Sequence, residues 1–133
     1  KCKDFRELRE AFEDLYSGEG VPYPYSYANE VVTKGIAIFK MVDGNLKDAI
    51  IASVNMGRDT DCTAAIAAGL AGAYSGSEGL PKEWIDQVDK ATLANDFTVS
   101  QLTLRESSDG LFEAYKSELI KLKEIIEMME KQI

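Results

Sequence analysis

The amino-acid sequence predicts an all-α fold: a compact multi-helix bundle around a central Ala/Gly-rich helix, with a long helix at the C-terminal end. Two observations carry this prediction. Apolar residues recur at intervals of three and four along most of the chain, which is the period of an amphipathic helix. Residues 62–77 carry no charged group except a potential thiolate and are mostly alanine and glycine, which is typical of a buried helix. No segment is convincingly predicted to form a β-strand.

Amphipathic spacing defines the first two helices. The first is expected over residues 4 to about 16, where apolar residues repeat on one face. The repeating residues are Phe5, Leu8, Phe12 and Leu15. Residues 21–25 contain two prolines and are predicted to form an extended turn. The second helix then runs to about Val42, with Ser26 as its N-cap.

Three further helices follow from cap and turn signals. Asn45 and Asp48 resemble a capping box for a third helix over residues 46–56. The fourth helix is expected from about residue 61 to 74. Pro81 suits the start of a fifth helix over residues 82–93.

Glycines on these helices predict close packing. Gly35 lies on the apolar face of the second helix and permits a close neighbour. Gly69 and Gly72 lie inside the fourth helix, where each costs about 1 kcal/mol relative to alanine. We expect other helices to approach the fourth helix closely on several sides, which would compensate for this cost.

The C-terminal part ends in one long helix. Residues 97–104 are ambiguous between a short helix and an extended connection. The sequence Ser-Ser-Asp-Gly at positions 107–110 is a cap signal, after which apolar residues follow a heptad-like stripe. The stripe consists of Leu111, Tyr115, Leu119, Leu122, Ile126, Met129 and Ile133. It is core or interface, and it could pack on the bundle or on a second copy, so a homo-oligomer is possible.

Composition excludes several classes of function. The net charge is −8 and no Lys/Arg cluster is present, so a nucleic-acid partner is not expected. Histidine is absent, which removes Ser-His and Cys-His nucleophile systems and all His-ligated metal sites. The two cysteines form no spaced framework and no signal or membrane-spanning segment is visible, so we expect a cytoplasmic protein without a membrane partner. The chain begins at Lys1, which suggests a fragment or a processed product.

The most distinctive pattern is an acidic pair, Asp59 and Asp61, directly before the Ala/Gly-rich helix. Acidic residues at this place commonly cap a helix and suit the positive end of its dipole. The pair could also hold a hard divalent cation through oxygen. Cys62 follows, and a thiol at a helix N-terminus is expected to have a lowered pKa. Without a histidine partner, a nucleophilic role for this thiol is disfavoured.

The acidic pair fits neither a calcium-binding EF-hand loop nor a phosphate-binding loop. An EF-hand loop starting at Asp59 needs an acidic or amide residue at its fifth position and glycine at its sixth. Those positions hold Thr63 and Ala64. A Walker A phosphate-binding loop is not present in the sequence.

The sequence Asn-Met-Gly-Arg-Asp-Thr-Asp-Cys-Thr at positions 55–63, with the small-residue helix that follows, resembles the C-terminal signature of the ADP-ribosylglycohydrolases. That family includes the dinitrogenase-reductase-activating glycohydrolases and the crystallin J1 proteins. Asn29, the pair Asp43-Gly44, and Gly76 followed by Pro81 and Trp84 match in the same order. The resemblance covers about residues 25–104. It implies that residues 1–104 are the C-terminal portion of such a domain and that residues 105–133 are a long amphipathic helix.

The resemblance also implies an activity. The family is all-α, binds two divalent cations, usually Mg²⁺ or Mn²⁺, and hydrolyses bonds between ADP-ribose and protein side chains or small molecules. Its Asp-x-Asp-Thr signature supplies metal ligands, which here fall on Asp59, Asp61 and Cys62, with both aspartates taken as catalytic. Cys62 departs from the usual threonine, and a thiolate prefers softer metals than a hydroxyl does.

The remaining family ligands form a Thr-Asp-Asp cluster in an N-terminal half, and this sequence has no such cluster. The expected partners are therefore an ADP-ribosylated substrate and the N-terminal half of the domain, in the same or another chain. The chain alone is expected to be inactive. The alternative is a non-catalytic, crystallin J1-like relative in which the acidic pair only caps a helix.

Overall fold

The computed structural model describes residues 2–16, 27–97 and 99–132. Within these ranges it contains helices and no strand, so the predicted all-α class is confirmed. The helices are α1 Phe5–Tyr16, α2 Ala28–Met41, α3 Leu46–Asn55, α4 Thr60–Ser75, α5 Lys82–Leu93 and α6 Leu104–Glu130. The chain divides into two compact units, unit 1 at Lys1–Pro81 and unit 2 at Lys82–Ile133. The family-based boundary expected after residue 104 stays a prediction.

The starts of α2 and α3 can be compared with the N-cap residues that the sequence predicted. The predicted N-cap Ser26 and the predicted turn at 21–25 lie outside the described residues. The residue that precedes α2 is Tyr27, and its side chain makes no cap hydrogen bond. Asn45 does cap α3, because its Oδ1 accepts the backbone N–H of Asp48 at 2.9 Å. This satisfies one of the N–H groups that a helix start leaves without a partner.

The start of α6 differs from the prediction. The helix begins at Leu104, with Thr103 as N-cap, and residues 107–110 lie inside it. Thr103 and Glu106 form a complete capping box: the Glu106 N–H donates to Thr103 Oγ1 at 3.2 Å, and the Thr103 N–H donates to Glu106 Oε2 at 2.8 Å. The cap predicted at 107–110 was wrong because this box satisfies the helix start one turn earlier.

The core of unit 1 is formed where α4 packs against both α2 and α3, and α1 adds contacts to α2. Its buried apolar residues are Leu8, Phe12, Ile38, Leu46, Ala49, Met56, Ala67 and Ala71. Helices α2 and α4 approach closely at Gly35, where a Cβ atom would sit 2.6 Å from Ile66 Cγ2 and 3.3 Å from the backbone nitrogen of Ala67. Glycine is therefore required at this crossing, as the sequence indicated.

The glycines inside α4 behave differently. Within the described residues, a Cβ atom at Gly69 would meet no atom within 4 Å, and one at Gly72 would only reach ordinary contact with Leu46 at 3.9 Å. The helix buries Thr63, Ala67 and Ala71. Its packing against α2 and α3 uses this one face. The expectation of close helices on several sides of α4 was therefore wrong for the described chain.

Unit 2 consists of α5 and α6, and neither helix contains a buried residue. The backbone N–H of Leu104 donates to Asp89 Oδ1 at 2.8 Å, which ties the start of α6 to α5. The predicted apolar stripe is exposed along its described length, from Leu111 to Met129. A second copy of the chain as the partner of this stripe stays a prediction. In the described parts of the chain, we find no helix with the length and apolar character that crossing a membrane requires.

Candidate metal centre

A tight turn joins α3 to α4 and presents the acidic pair. Gly57 and Arg58 both have positive φ, at +83° and +60°. Glycine adopts such angles easily, whereas an arginine seldom does. The two left-handed residues reverse the chain in a few positions, so that Asp59 becomes the N-cap of α4.

Asp59 is held in place by its capping role. Its Oδ1 accepts the backbone N–H of Cys62 at 3.2 Å. Its carbonyl oxygen accepts both the N–H and the Oγ1 hydroxyl of the fully buried Thr63, at 3.3 Å and 2.7 Å. The capping interpretation of Asp59 is therefore confirmed, and it is compatible with a further role for the same carboxylate.

The structure brings the predicted site residues together. Potential ligand atoms of Asp59, Asp61 and Cys62 all lie within 4.8 Å of one another. Asp61 and Cys62 are exposed and Asp59 is partly buried. Carboxylate oxygens are ligands that suit a hard divalent cation, and a thiol suits one poorly. The two aspartates thus fit such an ion, and Cys62 fits it less well.

The pKa of the Cys62 thiol differs from the value expected for a thiol at a helix N-terminus. Its pKa is raised, first because the thiol hydrogen-bonds to the Asp59 side chain, then by desolvation and by the negative charges of Asp59 and Asp61. The predicted lowering of this pKa was wrong. The hydrogen bond to Asp59, the loss of solvation and the two neighbouring carboxylates all disfavour the charged thiolate, whereas the sequence argument considered only the helix terminus.

Sequence reasoning missed a buried ion cluster beneath the turn. The Glu30 side chain is fully buried and accepts from three nitrogens. Lys34 Nζ lies 2.6 Å from Oε1, Arg58 Nε lies 2.6 Å from Oε1, and Arg58 Nη2 lies 3.1 Å from Oε2. Burial raises the pKa of Glu30, but the hydrogen bonds and charges of Arg58 and Lys34 outweigh it, so the pKa lies below its usual value. The i, i+4 spacing of Glu30 and Lys34 was the one readable signal.

The same cluster adjoins an open cavity of about 260 Å³ in unit 1. Its charged lining residues are Arg9, Glu13, Lys34 and Arg58. Positive groups thus outnumber negative groups on the cavity wall.

Comparison with known proteins places the chain in a family. A sequence profile described as ADP-ribosylglycohydrolase matches residues 3–118. ADP-ribosylarginine hydrolase Tri1 from Pseudomonas putida (strain GB-1) is 46% identical over 44 residues, which cover 33% of this chain. The aligned part spans only 12% of the length of that hydrolase. The search of solved structures finds no match. Since the profile covers most of the sequence, this chain belongs to the ADP-ribosylglycohydrolase family.

Proposed function

We propose that this chain supplies the acidic turn of a metal-dependent hydrolase that removes ADP-ribose from a protein side chain or a small molecule. The observation that carries the proposal is the convergence of Asp59 and Asp61 at the start of α4, in a chain of the ADP-ribosylglycohydrolase family. A relative of part of the chain is named as an ADP-ribosylarginine hydrolase, which makes arginine-linked ADP-ribose the first substrate to test.

Asp59 and Asp61 are the residues that would hold Mg²⁺ or Mn²⁺. A bound cation of this kind orients substrate hydroxyls and lowers the pKa of a bound water. Asp59 contributes a carboxylate whose position is fixed by its hydrogen bond to the Cys62 N–H. Asp61 adds a second negative charge at an exposed point of the first helical turn, where the cation and the substrate can reach it. Both carboxylates repel other anions from this point until a cation neutralises them.

A non-catalytic, crystallin J1-like role is the second candidate, and the confirmed cap at Asp59 favours it. Capping alone accounts for the position of Asp59. The positive end of the α4 dipole also favours a carboxylate at Asp61 in the first turn, so both candidates fit the position of the acidic pair. A metal titration of the full-length protein separates the candidates, because a purely structural acidic pair would bind Mn²⁺ only weakly.

The chain by itself is expected to hydrolyse no ADP-ribosyl bond. Mg²⁺ prefers about six oxygen ligands in octahedral order, and two aspartates provide too few of them to position a pair of ions. A misplacement of about 1 Å can lower a rate roughly a hundredfold. The assay compares the 133-residue chain, with Mg²⁺ or Mn²⁺, against the same chain after addition of the N-terminal half. Turnover by the chain alone would contradict the proposed division of the site between two portions.

Replacing Cys62 by threonine is expected to change the affinity for Mg²⁺ and Mn²⁺ less than about twofold. The hydrogen bond to Asp59, followed by desolvation and the neighbouring carboxylates, raises the pKa of the Cys62 thiol and disfavours a metal-binding thiolate, and a threonine hydroxyl can donate to Asp59 in the same way. The measurement is a titration of the parent and the variant with Mg²⁺, Mn²⁺ and Zn²⁺. A selective loss of Zn²⁺ affinity in the variant would show that the thiol coordinates metal.

We also propose a cytoplasmic location for the protein. Both cysteines are free and exposed, as a reducing compartment allows.

A further inference from the structure

We propose that Glu30 is a positioning residue for the metal-binding turn. Its carboxylate fixes the Arg58 guanidinium, and through Arg58 it sets the direction in which Asp59 and Asp61 leave the turn. The inference concerns the acidic pair, so its meaning for catalysis rests on the proposed function. The contacts that support the inference are made by Glu30, Lys34 and Arg58, and not by the acidic pair.

The first step is the form of the ion pair. Arg58 Nε and Nη2 reach the two different oxygens of Glu30, at 2.6 Å and 3.1 Å. Such a two-point contact between planar groups restrains both the distance and the orientation of the guanidinium. A single point charge such as a lysine would restrain only the distance. The pair also links α2 to the turn across 28 positions of sequence.

The second step is that Glu30 is anchored independently of the turn. Lys34, on the same helix, holds Oε1 at 2.6 Å, and its own side chain is only 3% exposed. The Lys34 ammonium also lies 5.8 Å from the centroid of the Phe12 ring, in the core of unit 1. Glu30 therefore has a fixed position within α2. Because its side chain is fully buried, loss of its partners would leave an unpaired charge inside the protein.

The third step is the backbone at Arg58. Its φ of +60° is unusual for a residue with a side chain, and the next residue is Asp59. A turn of two left-handed residues can relax if nothing holds it, and relaxation would move Asp59 away from its cap position. The ion pair acts on the same residue that carries the unusual backbone angle. The ion pair with Glu30 thus restrains Arg58, the residue directly before Asp59, which is the first candidate metal ligand.

Amide hydrogen exchange, measured by NMR on the 133-residue chain, tests this inference. The reporters are the N–H groups of Cys62 and Thr63, which donate to Asp59. Replacing Arg58 by lysine keeps the charge and removes the two-point contact. We expect protection of both reporters to fall about tenfold, which corresponds to the loss of one hydrogen bond to a charged group. The core amides of Ile38 and Ala67 should change less than about threefold.

The control variant is Arg105→Lys, which makes the same chemical change in an exposed pair with Asp109 in α6. It should leave the Cys62 and Thr63 amides unchanged. Equal loss of protection at the reporters and at the core amides would overturn the inference, because the cluster would then only stabilise unit 1. Unchanged reporters in Arg58→Lys would overturn it as well.

Amide hydrogen exchange requires no metal, so the exchange result for Arg58→Lys is independent of the proposed function. A Mn²⁺ titration of the full-length protein adds the link to the site. Binding should be about tenfold weaker in Arg58→Lys than in the parent, by the same loss of one charged hydrogen bond. Equal affinities would overturn the positioning role. A parent protein that binds no Mn²⁺ would instead contradict the proposed function, while the exchange result still decides the inference.

Discussion

Replacing Asp61 by asparagine in the full-length protein is expected to lower kcat/KM for ADP-ribosyl hydrolysis by about a hundredfold or more. The amide keeps the size of the side chain but removes the negative charge that would hold the cation. Asp61 is exposed, so the folding stability should change by less than about 0.5 kcal/mol. The measurement is turnover of an ADP-ribosylated substrate with saturating Mn²⁺, together with a melting curve that shows an intact fold.

Asp59→Asn makes the experiment sharper. Asparagine caps helices as well as aspartate does, so this variant keeps an acceptor for the Cys62 N–H. If Asp59 only caps α4, the variant should turn over normally; if it binds metal, activity should fall as far as in Asp61→Asn. Asp86→Asn, in an exposed ion pair with Lys82, is the matched control and should keep full activity. Near-normal turnover in either site variant would count against the metal role.

Gly35→Ala is expected to destabilise unit 1 by about 1–3 kcal/mol, the usual cost of overpacking a core. The added methyl group would lie 2.6 Å from Ile66 Cγ2 and 3.3 Å from the backbone nitrogen of Ala67. The Ile66 methyl can turn away, but Ile66 Cβ, which would lie 2.9 Å from the added methyl group, and the α4 backbone can yield only if the two helices separate. The gain in helix propensity from glycine to alanine, about 1 kcal/mol, offsets part of this cost.

Gly69→Ala is the matched control, with the opposite expected sign. This glycine also lies inside a helix, but a Cβ atom there would meet nothing within 4 Å. We expect stabilisation by about 1 kcal/mol from helix propensity alone. Hydrogen exchange of the Ile38 amide reports the free energy of opening for both variants. A Gly35→Ala protein as stable as the parent would show that α2 and α4 do not pack as closely as described.

The fold was predictable from sequence where local rules decide it. Spacing of three and four residues predicted α1 and α2, the Ala/Gly-rich composition predicted α4, and Asn45 acts as the predicted cap of α3. The start of α6 was missed although the rule was the same, because Thr103 and Glu106 carry the capping box and the more obvious Ser-Asp-Gly sequence lies inside the helix.

The candidate site was likewise predictable from sequence only where local rules decide it. Asp59, Asp61 and Cys62 are neighbours in sequence on one helical turn, so their proximity needs no knowledge of the tertiary structure. The pairing of Glu30 with Arg58 depends on how α2 meets the turn before α4, which sequence periodicity does not encode. The pKa of Cys62 is raised by its hydrogen bond to Asp59, by desolvation and by two carboxylate charges, and these effects depend on atomic positions that sequence periodicity does not encode.

The absence of buried residues in α5 and α6 determines which signals can follow unfolding. Helices that bury little apolar surface melt gradually, whereas a packed core such as that of unit 1 melts cooperatively. The sole tryptophan, Trp84, lies in α5. Its fluorescence therefore reports on α5, and loss of the acidic turn needs a separate probe in unit 1, such as the Cys62 and Thr63 amides. Circular dichroism at 222 nm sums the helices of both units, so it does not by itself separate the melting of unit 1 from that of unit 2.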